Sequence, residues 1–336
     1  MTLAARYPLL VGDIGGTNAR FGLIERPGGA LVLLPRIRTS EHPDAVAAIR
    51  AVLDGGGRPK PRAALLAVAA RVEGPVAHLT NAGWTLDTYE VAAAFGLEAV
   101  RIVNDFVPVA AALAVLGREE GDLLRLGRDC TAGPGARLVL GPGTGLGAAA
   151  LLPVAEGWAI HPTEAAHTDF GPAHDDEAAL WPLIQRVGGR ITAEAVLSGP
   201  GLLRLYRALA RTRNLPAVCA IPEEVSAAGL DGRDALAQAA LHLFGRLLGR
   251  FAGDLALTFG AGAVYIAGGI GPKIAAVLSA GDFRAAFERK APFEDWMRAI
   301  PTFLIADRDP ALTGLRAILA EPGRFLFRSA GWEREG

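Results

Sequence analysis

The sequence predicts an α/β protein of two domains with a cleft between them. Its length of 336 residues exceeds that of one typical domain. Apolar runs typical of strands alternate with segments of helical spacing. A strand, a Gly/Thr turn and a second strand occur in that order twice, near 9–24 and 137–154, which indicates two related halves.

The composition indicates a soluble protein with a large core. Hydrophobic residues make up 51% and charged residues 21%, which argues against disorder. With 34 Lys and Arg against 35 Asp and Glu, the net charge is -1, so neither nucleic acid nor an anionic membrane is predicted as a partner. The N-terminus lacks the features of a signal peptide, and apolar runs such as 63–70 are too short to span a bilayer. A cytoplasmic location is therefore predicted.

The elements of the first half follow from apolar runs, turn residues and caps. Strands are predicted at 9–11, 19–24, 31–37, 64–70 and 100–103. Helices are predicted from their apolar spacing at 43–53, 86–96 and 108–116. The first helix is expected to stop at 55–57 and the second to start near Asp87. Pro108 suits the first turn of the third helix.

The second half begins with strands and continues mainly with helices. Strands are predicted at 137–140, 148–154 and 264–267. Helices are predicted at roughly 176–187, 193–197, 200–211 and 233–259. This half is therefore expected to carry most of the helical mass.

The first Gly/Thr turn is a candidate phosphate site. The sequence contains no GxxxxGK[ST], so a P-loop lysine is not predicted. Glycines let backbone N–H groups approach phosphate oxygens, and threonine adds a hydroxyl donor. A carboxylate at the end of an apolar strand needs a partner, and Mg²⁺ beside a triphosphate would be one. An ordinary hairpin turn with the carboxylate bonded to nearby N–H groups is the alternative. The residues concerned are Gly12, Asp13, Ile14, Gly15, Gly16 and Thr17.

The second Gly/Thr turn, at 141–147, is a candidate for the same role through Gly143, Thr144 and Gly145. Residues 145–150 also fit GxGxxA, a relaxed dinucleotide-binding fingerprint, with Glu164 near the distance of a ribose-binding acid. That fingerprint has to open a helix, whereas here it precedes an uncapped apolar run that meets Pro153.

A glycine pair after a later strand is a further candidate for nucleotide contact. Gly268 and Gly269 follow the predicted strand at 264–267, where backbone can pack on an adenine face. An ordinary turn is the alternative.

Asn104 and Asp105 are candidates for acid–base chemistry. They end a short apolar strand just before a predicted helix. A carboxylate in that place can accept a hydroxyl proton as the hydroxyl attacks phosphorus. With Pro108 close by, capping of the helix is the alternative.

Two residues of the second half are candidates for a polar ligand. Glu164 and His167, three residues apart, can face an array of sugar hydroxyls, or form a surface turn. Metal binding would need a third ligand such as His161 or His174, and two distant cysteines cannot supply a Cys-based zinc site. Glu194 alone is consistent with an exposed helix glutamate.

The order of the motifs carries more information than any one of them. It runs Leu10-Val-Gly-Asp-Ile-Gly-Gly-Thr-Asn-Ala-Arg20, Asn104-Asp-Phe106, Gly143-Thr-Gly-Leu-Gly147, Glu164…His167-Thr-Asp-Phe170, Val196-Leu-Ser-Gly-Pro-Gly-Leu202 and Tyr265-Ile-Ala-Gly-Gly-Ile270. This order closely resembles that of the bacterial glucokinase family of the actin-like ATPase (hexokinase) superfamily. The resemblance covers nearly the whole chain, including the segment from Gly281 to Phe287.

The resemblance implies an actin-like two-domain fold and an ATP-dependent kinase that converts glucose to glucose 6-phosphate, the first step of glucose catabolism. It makes 12–17 and 141–147 the phosphate turns, places Gly268–Gly269 near the adenosine, and implies a homodimer. It makes Asp105 the catalytic base, with Mg²⁺ held by Asp13 directly or through water. It assigns the glucose hydroxyls to Asn104, Asp105, Glu164, His167 and Glu194.

Domain boundaries are expected to give a small α/β domain of 1–112 with about 312–336, and a large α/β domain of 113–311.

One departure from the family concerns the sugar: relatives usually carry Glu-Gly-Gly-His where this chain has Glu164-Ala-Ala-His167. Two methyl groups are expected to narrow or shift the sugar pocket. A sugar-responsive binding protein on the same scaffold and a dinucleotide-dependent oxidoreductase are the rival functions.

Overall fold

The structure, a computed structural model, describes residues 3–54, 57–79, 83–117 and 121–334. Contacts within this part of the chain group it into two compact units. Unit 1 comprises Met1–Leu116, Leu151–Pro162 and Arg308–Gly336, and unit 2 comprises Gly117–Ala150 and Thr163–Asp307. Neither the long helix α8 (Ala235–Phe259) nor any other helix in the described residues is long and apolar enough to cross a membrane.

Strands and helices alternate along the first part of the chain, and helices predominate after residue 171. The strands are β1 (Leu9–Ile14), β2 (Asn18–Ile24), β3 (Leu31–Leu33), β4 (Ile37–Arg38), β5 (Ala63–Val68), β6 (Val76–His78), β7 (Thr85–Asp87), β8 (Ala99–Asn104), β9 (Leu123–Arg125), β10 (Ala136–Pro142), β11 (Leu146–Val154), β12 (Gly157–Thr163), β13 (Ala261–Ile266), β14 (Thr302–Ile305), β15 (Phe325–Leu326) and β16 (Ala330–Glu333). The helices are α1 (Ala45–Leu53), α2 (Thr88–Phe95), α3 (Phe106–Ala112), α4 (Asp175–Leu180), α5 (Ala193–Val196), α6 (Gly199–Thr212), α7 (Pro222–Leu230), α8 (Ala235–Phe259), α9 (Ala275–Ser279), α10 (Asp282–Glu288), α11 (Glu294–Ala299) and α12 (Pro310–Ala320).

The sheet of unit 1 has a parallel centre. Its order is β16-β8-β5-β1-β2-β3, with β4 also paired to β2. Strands β1, β5 and β8 run parallel, whereas β2 returns antiparallel to β1 through the Gly/Thr turn. The central strands are nearly continuous apolar runs because both faces of a parallel sheet are covered.

Helix α12 packs tightly on α3, the helix that follows Asn104 and Asp105. A methyl group built at Gly314 would lie 1.7 Å from the carbonyl oxygen of Pro108, so only glycine permits this approach. The C-terminal part of the chain therefore supports the helix that starts beside the candidate base.

A second sheet has the order β15-β12-β11-β10-β13-β14-β9, and its strands β10, β13, β14 and β9 belong to unit 2. Strands β10, β13 and β14 run parallel, and β9 closes the edge antiparallel to β14. The buried face of α8 includes Leu241, Phe244, Leu248 and Phe251, all of them nearly inaccessible to solvent. These residues are part of the apolar core of this unit.

Several predicted boundaries are wrong for physical reasons. The single strand predicted at 31–37 is broken into β3 and β4, whose side chains are largely exposed. The helix predicted from 43 begins at Ala45, because Asp44 caps it by accepting from the Ala47 N–H at 2.7 Å. Its predicted stop at 55–57 lies partly outside the described residues.

Other elements were absent from the prediction. Strands β12 and β14 and helices α7 and α12 are examples. The helix predicted at 86–96 is preceded by β7 and starts at Thr88, with Asp87 as its cap, accepting from the Tyr89 N–H at 2.8 Å.

Candidate active site

The first Gly/Thr turn joins β1 to β2 in unit 1. The Gly15 N–H closes the turn by donating to the Asn18 carbonyl at 3.0 Å. Thr39 braces it from outside: its hydroxyl donates to the Gly16 carbonyl at 2.8 Å and its N–H to the Thr17 carbonyl at 3.1 Å. The turn is thus held by its own hairpin and by one buried threonine from the segment after β4.

Asp13 lies near the end of β1, directly opposite Arg20 on β2. Its Oδ2 accepts from Arg20 Nη1 at 3.1 Å, and 17% of its side chain is exposed. Burial raises the pKa of Asp13 above its ordinary value, and the charge and hydrogen bond of Arg20 offset part of that rise. The alternative in which neighbouring N–H groups hold this carboxylate is wrong, because its partner is a guanidinium.

A chain of alternating charges continues from Asp13. Arg20 Nε lies 3.1 Å from Asp309 Oδ1, and Arg36 Nη2 donates to the same oxygen at 2.9 Å. Sequence reasoning missed this network. Arg20 stands inside the first motif, but no local pattern connects it to Asp309, which precedes α12.

The chemistry of Asp13 fits a magnesium ion shared with a phosphate. Carboxylate oxygens are ligands that Mg²⁺ prefers, and the ion usually takes one or two of them together with phosphate oxygens and water. Arg20 bonds to Oδ2, and a carboxylate has a second oxygen that can bind a metal or its water. The described residues contain no group of three or more His, Cys, Asp or Glu arranged to bind a metal by themselves.

Asn104 and Asp105 lie where β8 ends and α3 begins. Asn104 Oδ1 accepts from the Phe106 N–H at 3.0 Å, and its Nδ2 donates to the Ala70 carbonyl at 3.2 Å. Asp105 bonds through its backbone N–H to the Val68 carbonyl at 3.0 Å, and its side chain does not cap α3. The capping role therefore belongs to Asn104, and a backbone hydrogen bond anchors the partly exposed residue Asp105.

Strand register brings the candidate base and the first turn to one edge of the sheet. Ile14 is paired with Val68, and Val68 is paired with Asn104. Since neighbouring strands lie about 4.8 Å apart, the ends of β1 and β8 are separated by roughly 10 Å across β5. A hydroxyl and a phosphoryl group fit side by side over that distance.

The second Gly/Thr turn joins β10 to β11 in unit 2. The Gly143 N–H donates to the Gly145 carbonyl at 2.8 Å. The residues after the turn form a strand, so the dinucleotide-binding alternative, which requires a helix at this point, is wrong.

The glycine pair after β13 lies against the second turn. Gly268 has φ +78, and a methyl group built there would be 2.4 Å from the Pro142 carbonyl oxygen. The Ile270 N–H donates to the same oxygen at 3.2 Å. The second Gly/Thr turn and the Gly268–Gly269 pair, both predicted to contact nucleotide, are therefore neighbours.

Glu164 and His167 flank a short 3-10 turn. The Glu164 Oε2 and the His167 Nε2 are 3.7 Å apart, and 61% and 55% of these side chains are exposed. Arg190, which sequence reasoning missed, donates to the His167 carbonyl at 3.0 Å and to Asp169 at 2.9 Å. The exposed side chains of Glu164 and His167 therefore lie on a turn that is held in place by hydrogen bonds from Arg190.

Glu194 lies in the first turn of α5, whose N-cap is Thr192. Its Oε2 accepts from the Leu146 N–H of the second Gly/Thr turn at 2.9 Å. The interpretation as an exposed helix glutamate is wrong, because its side chain is partly buried and bonded to backbone.

Comparison with solved structures identifies the class of protein. The chain is similar to a glucokinase from an Antarctic psychrotroph, with a TM-score of 0.78 and 31% identity, covering 93% of this chain and 98% of that one. It shares its fold with a ROK family glucokinase from Streptomyces griseus in complex with glucose and AMPPNP, at a TM-score of 0.65 and 21% identity, covering 94% of this chain and 99% of that one. The fold is that of the sugar kinases, which confirms the predicted α/β, actin-like class.

Sequence comparison narrows the class to one family. The glucokinase family model matches residues 10–322. A glucokinase from Rhizobium meliloti (strain 1021) is 40% identical over 331 residues, which cover 98% of this chain and 97% of the relative. The chain belongs to the glucokinase family, as the order of its motifs predicts.

Proposed function

We propose that this protein transfers the γ-phosphoryl group of ATP to the 6-hydroxyl of glucose, giving glucose 6-phosphate as the first step of glucose catabolism. One observation carries the proposal: the register Ile14–Val68–Asn104 puts a carboxylate and a phosphate-binding turn at the same edge of a parallel sheet. Family membership and a neighbour of the same fold that holds glucose and AMPPNP support the choice of substrates.

In the proposed reaction, the Asp105 carboxylate accepts the O6 proton while O6 forms a bond to the γ-phosphorus. The bond from that phosphorus to the β–γ bridging oxygen breaks, and ADP leaves with the electron pair. The protein contributes mainly position and charge stabilisation, because phosphoryl transfer needs little covalent chemistry from it.

The binding roles are divided between the turns and the polar side chains. The turns at Gly12–Thr17 and Gly143–Gly145 bind the nucleotide phosphates, and Gly268–Gly269 contact the adenosine. Magnesium, held by Asp13 directly or through water, neutralises phosphate charge when bound. Glucose hydroxyls are bound by the remaining candidates, Asn104, Asp105, Glu164, His167 and Glu194.

A panel of hexoses with ATP tests this proposal. ADP formation is measured for each sugar, and the phosphorylated position is assigned by ³¹P and ¹³C NMR. Glucose is expected to give the highest kcat/KM, with the phosphate on C6. ADP release that does not depend on any hexose would overturn the proposal.

The Ala165–Ala166 pair gives a sharper test of sugar selectivity. Ala166 is 2% exposed and Ala165 is partly buried, so the methyl groups lie inside the turn that carries Glu164 and His167. Replacing both with glycine restores the pattern usual in the family. The double variant is expected to change the ratio of glucose to mannose kcat/KM, with unfolding free energy lower by about 1–2 kcal/mol.

The proposal includes a cytoplasmic homodimer of the 34.9 kDa chain. Light scattering of the purified protein measures its mass in solution directly. A mass equal to that of the single chain at micromolar concentration would contradict the dimer and leave the reaction unaffected.

A further inference from the structure

The carboxylate of Glu194 lies against the backbone of the second Gly/Thr turn. Its Oε2 accepts from the Leu146 N–H at 2.9 Å. A methyl group built at Gly145 would lie 2.6 Å from that same oxygen. Position 145 is therefore glycine for a reason specific to this contact: any larger residue would displace the carboxylate.

The segment that carries Glu194 also holds the other arm of the turn. The Gly199 N–H donates to the Gly143 carbonyl at 2.8 Å. Ser198 ties the segment together, because its hydroxyl donates to the Glu194 carbonyl at 2.8 Å and accepts from the Gly201 N–H at 3.1 Å. Residues 194–199 thus contact the turn at both ends.

The same segment is bonded to the turn that carries the exposed Glu164–His167 pair. The Ala193 N–H donates to the Thr168 carbonyl at 3.1 Å, and the Phe170 N–H donates to the Ile191 carbonyl at 2.9 Å. Glu194 is therefore one residue beyond a hydrogen-bonded ladder that leads to the predicted sugar-binding side chains, and it touches the predicted phosphate turn directly.

We infer that Glu194 is a positioning residue that couples hexose binding to nucleotide binding within unit 2. The inference rests on the proposed function. One carboxylate oxygen of Glu194 accepts a hydrogen bond from the Leu146 N–H. A carboxylate can accept several hydrogen bonds, so Glu194 can also accept one from a sugar hydroxyl. A hexose that fixes Glu194 also fixes the phosphate turn, and by linkage a bound nucleotide raises hexose affinity by the same factor.

Substitutions at Glu194 test the contact with the turn. The dissociation constant of AMPPNP is measured by calorimetry without sugar, so that loss of a sugar contact has no influence. Glu194→Ala is expected to raise that constant about 3- to 10-fold, the usual value of one hydrogen bond. Glu194→Gln is expected to stay within about twofold, because its amide oxygen still accepts from Leu146. An unchanged constant in Glu194→Ala would overturn the inference.

Substitutions in the turn test the coupling from the other side. Gly145→Ala displaces the Glu194 carboxylate and is expected to raise the glucose dissociation constant about fivefold or more, measured without nucleotide. Gly171→Ala is the matched control, because it lies outside the proposed site and a methyl group there meets no described atom within 4 Å. Its glucose constant is expected to stay within about twofold. Equal glucose affinity in Gly145→Ala and wild type would overturn the inference.

The outcomes separate this inference from the proposed function. Binding constants that shift as described in a protein that phosphorylates no hexose would overturn only the function. Glucose phosphorylation with unshifted constants would overturn only the inference. If Glu194→Ala fails to fold, the Gly145→Ala and Gly171→Ala pair still decides it, and thermal unfolding monitors all four variants.

Discussion

The two Gly/Thr turns have the same local plan but different supports. Each joins two antiparallel strands and closes on a glycine N–H, from Gly15 in unit 1 and from Gly143 in unit 2. The first turn follows a charged residue, Asp13, which is neutralised by Arg20. The second follows Gly141 and Pro142 and takes a carboxylate from elsewhere, through the contact of Glu194 with Leu146. Two turns of similar sequence are therefore stabilised differently, one by an ion pair and the other by a hydrogen bond from a backbone N–H to a distant glutamate.

This difference matters for the chemistry proposed at each turn. A resident carboxylate beside an arginine suits a metal–phosphate complex, where charge is balanced locally. The second turn is stabilised by uncharged N–H groups and by Glu194. Its N–H groups suit phosphate oxygens, and Glu194 can connect the turn to a bound sugar. Substitutions can weaken the interactions that stabilise each turn separately.

Among the substitutions that weaken a turn, the largest effect is expected from Asp13→Asn, which keeps the shape of the side chain and removes its charge. Hydrogen bonds to charged groups contribute about 1.5–3 kcal/mol, so kcat/KM for ATP should fall roughly 10- to 100-fold. The Mg²⁺ concentration for half-maximal rate should rise as well. Asp309→Asn, which removes the other carboxylate paired with Arg20, is the control and should have a smaller effect. Equal effects of the two substitutions would contradict a specific role of Asp13.

Arg20→Met is expected to act mainly on stability, because it leaves Asp13 without its countercharge. Breaking a fully buried pair costs about 3–5 kcal/mol. Here 29% of the Arg20 side chain and 17% of the Asp13 side chain are exposed, so we expect about 1–3 kcal/mol of unfolding free energy in urea titration. Arg26→Met, an exposed residue just beyond β2, is the matched control. A loss no greater than that of the control would show that the pair does not stabilise the turn.

A moderate effect is expected from Thr39→Val, which removes the hydroxyl that donates to the Gly16 carbonyl. Thr39 is 2% exposed, so the carbonyl loses a buried donor. The KM for ATP should rise about fivefold, corresponding to about 1 kcal/mol. Thr39→Ser keeps the hydroxyl and should restore most of the affinity. If the valine and serine variants behave alike, the brace acts by packing and not by its hydrogen bond.

The smallest effect is expected at Tyr206, on the helix that starts at Gly199 and supports the second turn. Its hydroxyl donates to Asp234 at 2.8 Å, and burial together with this bond raises the pKa of Tyr206 to about 12. The unfolded value is near 10, so this stabilisation is complete below about pH 10 and is lost as the pH rises through the folded value.

Tyr206→Phe should therefore be less stable than wild type by about 1 kcal/mol at pH 8, and the difference should shrink between pH 10 and 12. Urea unfolding of both proteins across this range measures it. The KM for ATP should not change at pH 8. A stability difference that grows with pH would contradict the assignment of the raised pKa.

Much of the fold could be predicted because its signals are local. The apolar runs of β1, β5 and β8 and the caps at Asp44 and Asp87 are written in consecutive residues. Short elements such as β14 and α11 could not be predicted, because a few residues carry too little periodicity.

The candidate site divides in the same way. Asn104, Asp105 and the two turns stand at strand ends, so strand prediction alone points to them. Arg190 and Asp309 act through partners far away in sequence, and only the folded register brings them close. The contact of Glu194 with Leu146 joins residues that are 48 apart, and no spacing rule links them.

The central claim is that the Asp105 carboxylate accepts the proton of the attacking hydroxyl, and Asp105→Asn tests it most directly. Pre-steady-state measurement of the phosphoryl-transfer rate, together with the glucose dissociation constant, separates chemistry from binding. The account predicts a rate lower by about 10²- to 10⁴-fold, with the glucose constant raised less than about tenfold. A transfer rate within about threefold of wild type in a folded variant would contradict it.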